Sequence, residues 1–497
     1  MTIMNAHNAD TVLATIDRML ESRQVNKILH GFPSPRLWSA APAPVEDILG
    51  ERQRGSAGDR DFHLYVGVPY CIPTNPGKCG YCLFPVEDFA GSHQIDDYLG
   101  VLAREGDGYR PWFEGRTPRS VYIGGGTPNL LKAAQYPRLM SILRSVFPDL
   151  DRAECITLEG IPPLFTREKL GVMKEHGIRR ISMGVQQINT ELNAFSGRRQ
   201  TAEHTLNAIA WCHELGLPCN ADLIFGWPRQ TVALMLEDLR RLVATGVEHI
   251  THYELNVGGE SDFALNRRDE LPSPAECREM YHASREFLTA AGYRQLTAYD
   301  FERVDAAPAA PGTPREHYVY EECERDWDSH EMWGWGFAGV SNFQPSDAPE
   351  SWTWVNARSV RDYVDKLDRG QWPIEAAFRR QPIDHRLDQL FRHVQGMSID
   401  RAGYRARFAI DPLDEHRRVW EALRERGMVE WTEDRISLTT IGVYYTPLVQ
   451  TVLAADRITE LREQAFAEAH AGHASTSLTV LDSAAAGASR PLRVERE

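Results

Sequence analysis

The stretch Leu64-Tyr-Val-Gly-Val-Pro-Tyr-Cys-Ile-Pro-Thr-Asn-Pro-Gly-Lys-Cys-Gly-Tyr-Cys-Leu-Phe84 holds three of the chain's eight cysteines, Cys71, Cys79 and Cys82. The apolar, valine-rich run from Phe62 to Val68 predicts a strand that delivers a Pro/Gly-rich loop. Thiolate is a soft ligand suited to zinc, copper(I) or iron–sulfur clusters. A structural zinc site closes on four ligands, whereas a cubane cluster held by three thiolates keeps one iron open. A zinc knuckle completed by His63 or His93, and plain structural cysteines, stay open as alternatives on this loop alone. Eight cysteines in 497 residues do not make a disulfide scaffold.

Outward from this loop, residues 62 to 256 read as a ladder of short apolar runs alternating with segments of helical period. Strands are predicted at Phe62–Val68, Ser120–Ile123, Cys155–Leu158, Arg179–Val185, Cys219–Phe225 and His249–Leu255. Helices are predicted near 94–105, 130–146, 166–176, 190–215 (broken) and 231–245. Such repetition implies parallel βαβ units with right-handed crossovers. Ligands then gather at the C-terminal ends of the strands, which is where the cysteine loop falls.

The other strand ends carry matching chemistry. Gly124-Gly125-Gly126-Thr127-Pro128 follows the second strand and lets backbone approach a ligand. The third ends at Glu159, the fourth at Gln186-Gln187, and the fifth carries Asp222. Arg198, in Ser196-Gly197-Arg198-Arg199, offers a guanidinium able to grip a carboxylate. Each alone reads as a solvated loop residue or a helix cap. Together, at one barrel end, they make a site for a polar, zwitterionic, ribose-bearing ligand.

The combination of Tyr65-x-x-x-Pro69-Tyr70-Cys71, Cys79-Gly80-Tyr81-Cys82-x-Phe84, Gly-Gly-Gly-Thr-Pro, Ile-Ser-Met-Gly-Val-Gln and Asp-Leu-Ile-Phe-Gly-Trp-Pro resembles the radical S-adenosylmethionine (SAM) superfamily. More narrowly it resembles the branch of oxygen-independent coproporphyrinogen III oxidase. The likeness continues more loosely through Tyr299-Asp300-Phe301, Gly334 to Ser341, Asn356, Tyr363 and Gly370. The implied fold is α/β: a partial (β/α)6 TIM-like barrel with an N-terminal arm and a small C-terminal winged-helix-like α/β domain. The expected parts are a helix and wrapping arm over 1–61, the radical SAM partial barrel over 62–256, a barrel extension with the substrate or second-SAM region over 257–382, the winged-helix-like domain over 383–450, and a disordered tail over 467–497. The N-terminal helix is predicted over 11–29.

The resemblance implies a 4Fe–4S cluster on Cys71, Cys79 and Cys82 whose open iron chelates SAM, with a second SAM as an option. It puts Gly125, Gly126 and Thr127 by the methionyl amine, with Glu159 and Arg198 near the same end. Gln186 and Asp222 would hold the ribose, and Tyr65 and Tyr81 would lie near cluster and adenine. Four departures bear on the activity. The family spacing CxxxCxxC is here widened, because seven residues separate Cys71 from Cys79. Phe84 replaces an extra cysteine, Gly67 replaces a histidine, and the arm Gly31–Trp38 matches only loosely. These place methyl or methylene transfer (methylation or cyclopropanation) to a small unsaturated or aromatic metabolite first. Coproporphyrinogen III decarboxylation or other porphyrin or haem chemistry comes second, and a non-catalytic haem chaperone is the alternative of another class. The chaperones' His-Asn-x-x-Tyr-Trp pattern has no match in Ser329-His330-Glu331-Met332-Trp333-Gly334.

Composition is that of an ordinary globular chain, 42% hydrophobic and 25% charged. A net charge of −15 disfavours a nucleic-acid surface. No run of about 18 apolar residues and no signal-peptide core stands in the sequence, so a cytoplasmic protein with no membrane partner is expected. The expected partners are a small-molecule substrate and a flavodoxin- or ferredoxin-type electron donor, with a monomer favoured. The tryptophans Trp327, Trp333, Trp335, Trp352 and Trp354 read as core or lid packing, or else as a stack for a flat substrate. Cys155 and Cys219 read as buried small hydrophobes.

Overall fold

The computed structural model describes residues 7–24, 31–40, 43–54, 61–304, 331–343 and 351–471. Six strands form in the expected places: β1 (His63–Val68), β2 (Ser120–Gly125), β3 (Cys155–Gly160), β4 (Arg180–Gln186), β5 (Cys219–Phe225) and β6 (His249–Glu254). Each pairs in parallel with the next. Beyond them come β7 (Tyr293–Gln295), β8 (Asp300–Arg303), β9 (Met332–Gly336), β10 (Val340–Phe343), β11 (Ser351–Asn356) and β12 (Ile374–Arg380). The twelve form one sheet in the order β12-β11-β10-β9-β1-β2-β3-β4-β5-β6-β8-β7. This is the partial TIM-like barrel, open rather than closed. Strand β9 adds a seventh parallel strand against β1, which the sequence reading did not separate from its neighbours.

The helices begin where the sequence supplies caps. Thr166, Asn189, Thr201 and Thr231 each accept a bond from the backbone N–H three residues on, satisfying a donor that the first helical turn leaves orphaned. Both faces of the parallel strands are covered, so they read as continuous apolar runs rather than alternating ones; every residue of β4 is buried.

Several positions beyond the barrel that carry the family likeness converge on one buried carboxylate, Glu105, in the helix Ser92–Phe113. It accepts bonds from Asn356 Nδ2 at 2.8 Å, the Gly336 N–H at 2.9 Å, Tyr109 Oη at 3.1 Å and the Tyr363 hydroxyl. Burial pushes its pKa up to about 7 against these donors. Glu105 thus fastens β9, β11 and the helix Val360–Asp368 to the barrel. Trp333, Trp335 and Trp354 lie in the same core, and Trp335 Nε1 donates to Leu102 O. Their concentration is explained by packing, and none of the three forms a substrate stack. Trp352 packs beside them, half-buried. Trp327, His330 and Cys323 lie outside the described residues.

The first helix spans His7–Leu20 and not 11–29. Ser22 Oγ bonds back to Arg18 O and Gln24 folds its amide onto Met19 O, which gives the backbone an end at this point. The arm after it packs on the far edge of the sheet: Ser39 bridges to Ala377 of β12, and Phe32 is held by Asp388 and Arg380. After β12 come helices Pro382–Gln395, Arg401–Phe408 and Arg417–Glu425, with a small antiparallel sheet of Ser398–Asp400, Arg435–Leu438 and Val429–Trp431. Thr439 caps the next helix, and Gly442 is pressed so closely on Met428 O that a Cβ would stand 1.8 Å away. The helix Ala455–Ala471 enters the first residues of the expected tail; residues 472–497 lie outside the described residues. No helix among the described residues is long and apolar enough to cross a membrane.

Replacing Glu105 with alanine strands several buried donors at once. It should cost roughly 3 kcal/mol or more of stability, read as a lowered denaturation midpoint, with Tyr363→Phe costing less than half as much.

Candidate active site

The cysteine loop sits at the C-terminal end of β1. Cys71 closes a two-residue strand, Tyr70–Cys71, paired with Glu87–Asp88. Cys79 lies in a turn in which Lys78, Cys79 and Gly80 have φ of 51, 55 and 72°, and this left-handed run reverses the chain. The Cys79 N–H donates to Thr74 Oγ1 at 2.8 Å, whose hydroxyl donates to Pro76 O at 2.8 Å. The widened spacer is therefore an ordered extension. It docks on the segment bearing Arg198: at Gly197, whose φ is 70°, a Cβ would stand 2.4 Å from Asn75 O.

All three loop thiols are half-buried. Burial pushes the Cys71 thiol up to about 11, Cys79 and Cys82 add to the rise, and Thr127 and Arg198 oppose it. Burial likewise raises Cys82. Thr127 Oγ1 donates to Cys71 Sγ at 3.2 Å and Arg198 Nε donates to Cys79 Sγ at 3.3 Å. Such donors favour sulfur in its anionic, metal-binding form. A structural zinc closes on four ligands, whereas the groups that meet these sulfurs are the Thr127 hydroxyl and the Arg198 guanidinium, which donate and do not ligate. His63, a candidate fourth ligand, spends Nδ1 on Ser120 Oγ inside the sheet at 2.7 Å. The donor set fits a cluster-sized group better than a single ion.

The remaining strand ends close round this loop. Gly126 N–H and Thr127 N–H donate to Val68 O and Tyr70 O, so their amides are used in holding the loop. A Cβ on Gly126 would meet Tyr70 O at 2.5 Å, which is why only glycine fits there. Glu159 lies over Gly124, whose Cβ would be 2.7 Å from Oε2. A bulge between β4 and β5 at Gly184/Gln186 puts Gln186 at φ 64° and turns its side chain into the site. Gln186 Oε1 is buried without a partner. Arg198 Nη1 donates to Gly184 O at 2.7 Å. Tyr81 packs edge-on against Trp227 and beside Phe263, in the field of Arg198 and the three thiols. Tyr65 stacks on Tyr122 at 6.2 Å, with its hydroxyl near Gly125.

Asp222 is gripped from beneath. Asn220 Nδ2 donates to its Oδ1 at 2.7 Å and to Ser182 Oγ at 3.1 Å, and Thr251 Oγ1 donates to Asn220 Oδ1 at 3.3 Å. The sequence reading missed Ser182 and Thr251. Strand register would have found them, since Ser182 lies beside Asn220 and Thr251 beside Asp222 in neighbouring parallel strands. Burial pushes Glu159 up to about 8, with Asp222 as the next cause, and pushes Asp222 up to about 6. Asp300, in the segment expected to hold a substrate or second SAM, accepts from Thr297 and pairs with His249 beneath the site; it is occupied in holding the barrel floor. Tyr299 is buried beside Tyr253. Gly67 is forced by fold closure: a Cβ would stand 2.0 Å from Phe337 O. Phe84 packs on the barrel core.

The family description "Radical SAM superfamily" matches residues 72–242. Oxygen-independent coproporphyrinogen III oxidase of Escherichia coli (strain K12) is 27% identical over 397 residues, covering 77% of this chain and 83% of the relative. The haem chaperone HemW of the same organism is 30% identical over 255 residues, covering 51% of this chain and 64% of the relative, less than two thirds of its length. The solved structure of coproporphyrinogen III oxidase (HemN) from Escherichia coli superposes with a TM-score of 0.72 at 22% identity, over 86% of this chain and 99% of that one. Residues 72–242 thus carry a radical SAM domain, and over most of its length the chain is similar to oxygen-independent coproporphyrinogen III oxidase, whose fold it shares.

Two outcomes test the site. Gly197→Ala drives a Cβ into the Asn75 backbone, so iron taken up on reconstitution should fall well below one cluster per chain. The raised carboxyls at Glu159 and Asp222 keep protons in the ligand-free fold that the unfolded chain has lost. Their contribution to stability is present below about pH 4 and is lost as pH rises through about 6 and about 8. Glu159→Gln should flatten the decline of the melting temperature between pH 5 and pH 8.

Proposed function

We propose that this protein is a radical SAM enzyme acting on a tetrapyrrole, a porphyrinogen or haem, rather than on a small aromatic metabolite. The supporting observation is the extent of the match to the coproporphyrinogen III oxidase: 397 residues, well beyond the barrel. Methyl transfer to a small metabolite, placed first on sequence alone, has no comparable support. Of the four departures behind it, three have local structural causes in the docked spacer, Gly67 and Phe84.

When bound, a 4Fe–4S cluster with SAM supplies one-electron cleavage of the sulfonium to methionine and a 5′-deoxyadenosyl radical that takes hydrogen from substrate. Cys71, Cys79 and Cys82 would hold the cluster, with Thr127 and Arg198 steadying two of the sulfurs. Because the Gly126 and Thr127 amides are already spent, the glycine turn offers carbonyl oxygens, which suit an ammonium. Glu159 adds negative charge at that end, and the Arg198 guanidinium suits the methionyl carboxylate. Gln186 and Asp222, the latter fixed by Asn220, suit ribose hydroxyls, with Tyr65 and Tyr81 flanking. The N-terminal segment helps wall the cleft: Arg23 pairs with Glu254 at the end of β6 at 3.3 Å and donates to Gly226 O at 2.9 Å. The haem-chaperone reading is favoured by the 30% identity to HemW, and a flavodoxin- or ferredoxin-type donor would supply the electron.

Incubating the anaerobically reconstituted protein with dithionite, SAM and either coproporphyrinogen III or haem separates these readings. Carbon dioxide from the porphyrinogen, or a haem-derived product, supports the proposal. S-adenosylhomocysteine formed only with small aromatic acceptors contradicts it, and stoichiometric haem binding with no SAM consumed moves the protein to the chaperone class. Arg198→Ala should weaken SAM binding at least about tenfold and, with the Cys79 sulfur no longer steadied, lower the iron taken up without abolishing it, whereas alanine at any of the three cysteines should remove both.

A further inference from the structure

At the opposite, N-terminal end of the barrel strands lies a second set of metal-binding side chains. His213 stands in the last turn of the helix Ala202–Glu214, Cys219 opens β5, and Glu248 immediately precedes β6. Their ligand atoms all lie within 4.8 Å of one another. Glu248 Oε2 is 3.4 Å from His213 Nε2 and 3.7 Å from Cys219 Sγ. A tetrahedral zinc with ordinary bond lengths sets those edges at about 3.3 Å for nitrogen to oxygen and about 3.6 Å for sulfur to oxygen, so both edges that meet at Glu248 already have the spacing of a zinc site.

The set also has access and room. His213 and Glu248 keep 30% and 19% of their side-chain surface exposed, and both line a cavity of about 310 Å³ with Pro218, Thr245 and Arg303. Cys219 itself is buried. Cys212, one residue before His213, is likewise buried and, with desolvation, raises the Cys219 thiol. A closed structural site would use four protein ligands; here three converge beside an open space, the pattern of a site that keeps a position for water or another ligand. A neutral imidazole, one thiolate and one carboxylate carry two negative charges, balanced by a divalent ion. We infer that His213, Cys219 and Glu248 form a binding site for a zinc-type divalent cation, its fourth position open to the cavity. The site ties the helix Ala202–Glu214 to β5 and β6, and it is independent of the cluster loop at the other end of the barrel.

The test is zinc titration of the full chain after its cluster has been reconstituted with iron and sulfide, followed by elemental analysis. One zinc per chain should bind with the iron content unchanged, and His213→Ala and Glu248→Gln should each weaken binding at least about tenfold. Failure to retain stoichiometric zinc, or retention unaffected by His213→Ala, overturns the site, as does zinc gained only in step with iron lost. Because Cys219 is buried, its role is read spectroscopically. With Cys71, Cys79 and Cys82 replaced by alanine, cobalt(II) should still give a thiolate charge-transfer band, lost on Cys219→Ser; no such band in the parent variant overturns the assignment.

Discussion

Arg198 makes two bonds that set the geometry of the whole site. Its Nη1 donates to the carbonyl of Gly184 at the end of β4, and its Nε donates to the sulfur of Cys79. One guanidinium thus ties the Pro/Gly-rich loop to a buried parallel strand. The adjoining Gly197 accepts the backbone of the spacer at Asn75. A half-buried cation beside three thiols also favours their anionic forms, so the bond that positions the loop prepares it for metal. A lysine could not make both contacts, because only the planar fork reaches two acceptors in fixed directions.

The second constraint is that the parallel strands end together. Because β1 to β6 run in register, Cys71, Gly125, Glu159, Gln186 and Asp222 arrive at one rim without any long loop. The left-handed Gln186 and the bulge beside it are local departures from strand geometry. Strain of this kind persists where the surrounding structure over-determines it, at positions that aim a side chain. Two carboxylates raised by burial at one rim cost stability as pH climbs through their range, a cost that a cationic, hydroxyl-rich ligand would offset.

Much of this was legible in the chain because periodicity and strand ends are local. The boundaries of β5 match their prediction, and the polar residues at the strand ends were singled out before any contact was known. What escaped was non-local. Strand β9, parallel to β1, is held there in part by Glu105, more than 200 residues away, which receives Gly336 and Asn356. The spacer between Cys71 and Cys79 looked like a defect in spacing, and its partner at Gly197 could not be read from either segment alone. The tryptophans were ambiguous for the same reason: composition places them together, but only packing decides whether they face a ligand or each other. The grouping of His213, Cys219 and Glu248 spans 36 positions and has no motif spacing to announce it.

The account rests on the loop thiols carrying a group that lets SAM be cleaved. The most direct measurement is to reconstitute the protein anaerobically with iron and sulfide, reduce it, add SAM and quantify the small molecules formed. The account predicts 5′-deoxyadenosine and methionine in equal amounts, both absent when Cys79 is alanine. Unchanged SAM, with zinc rather than iron held by the three loop cysteines, would contradict it.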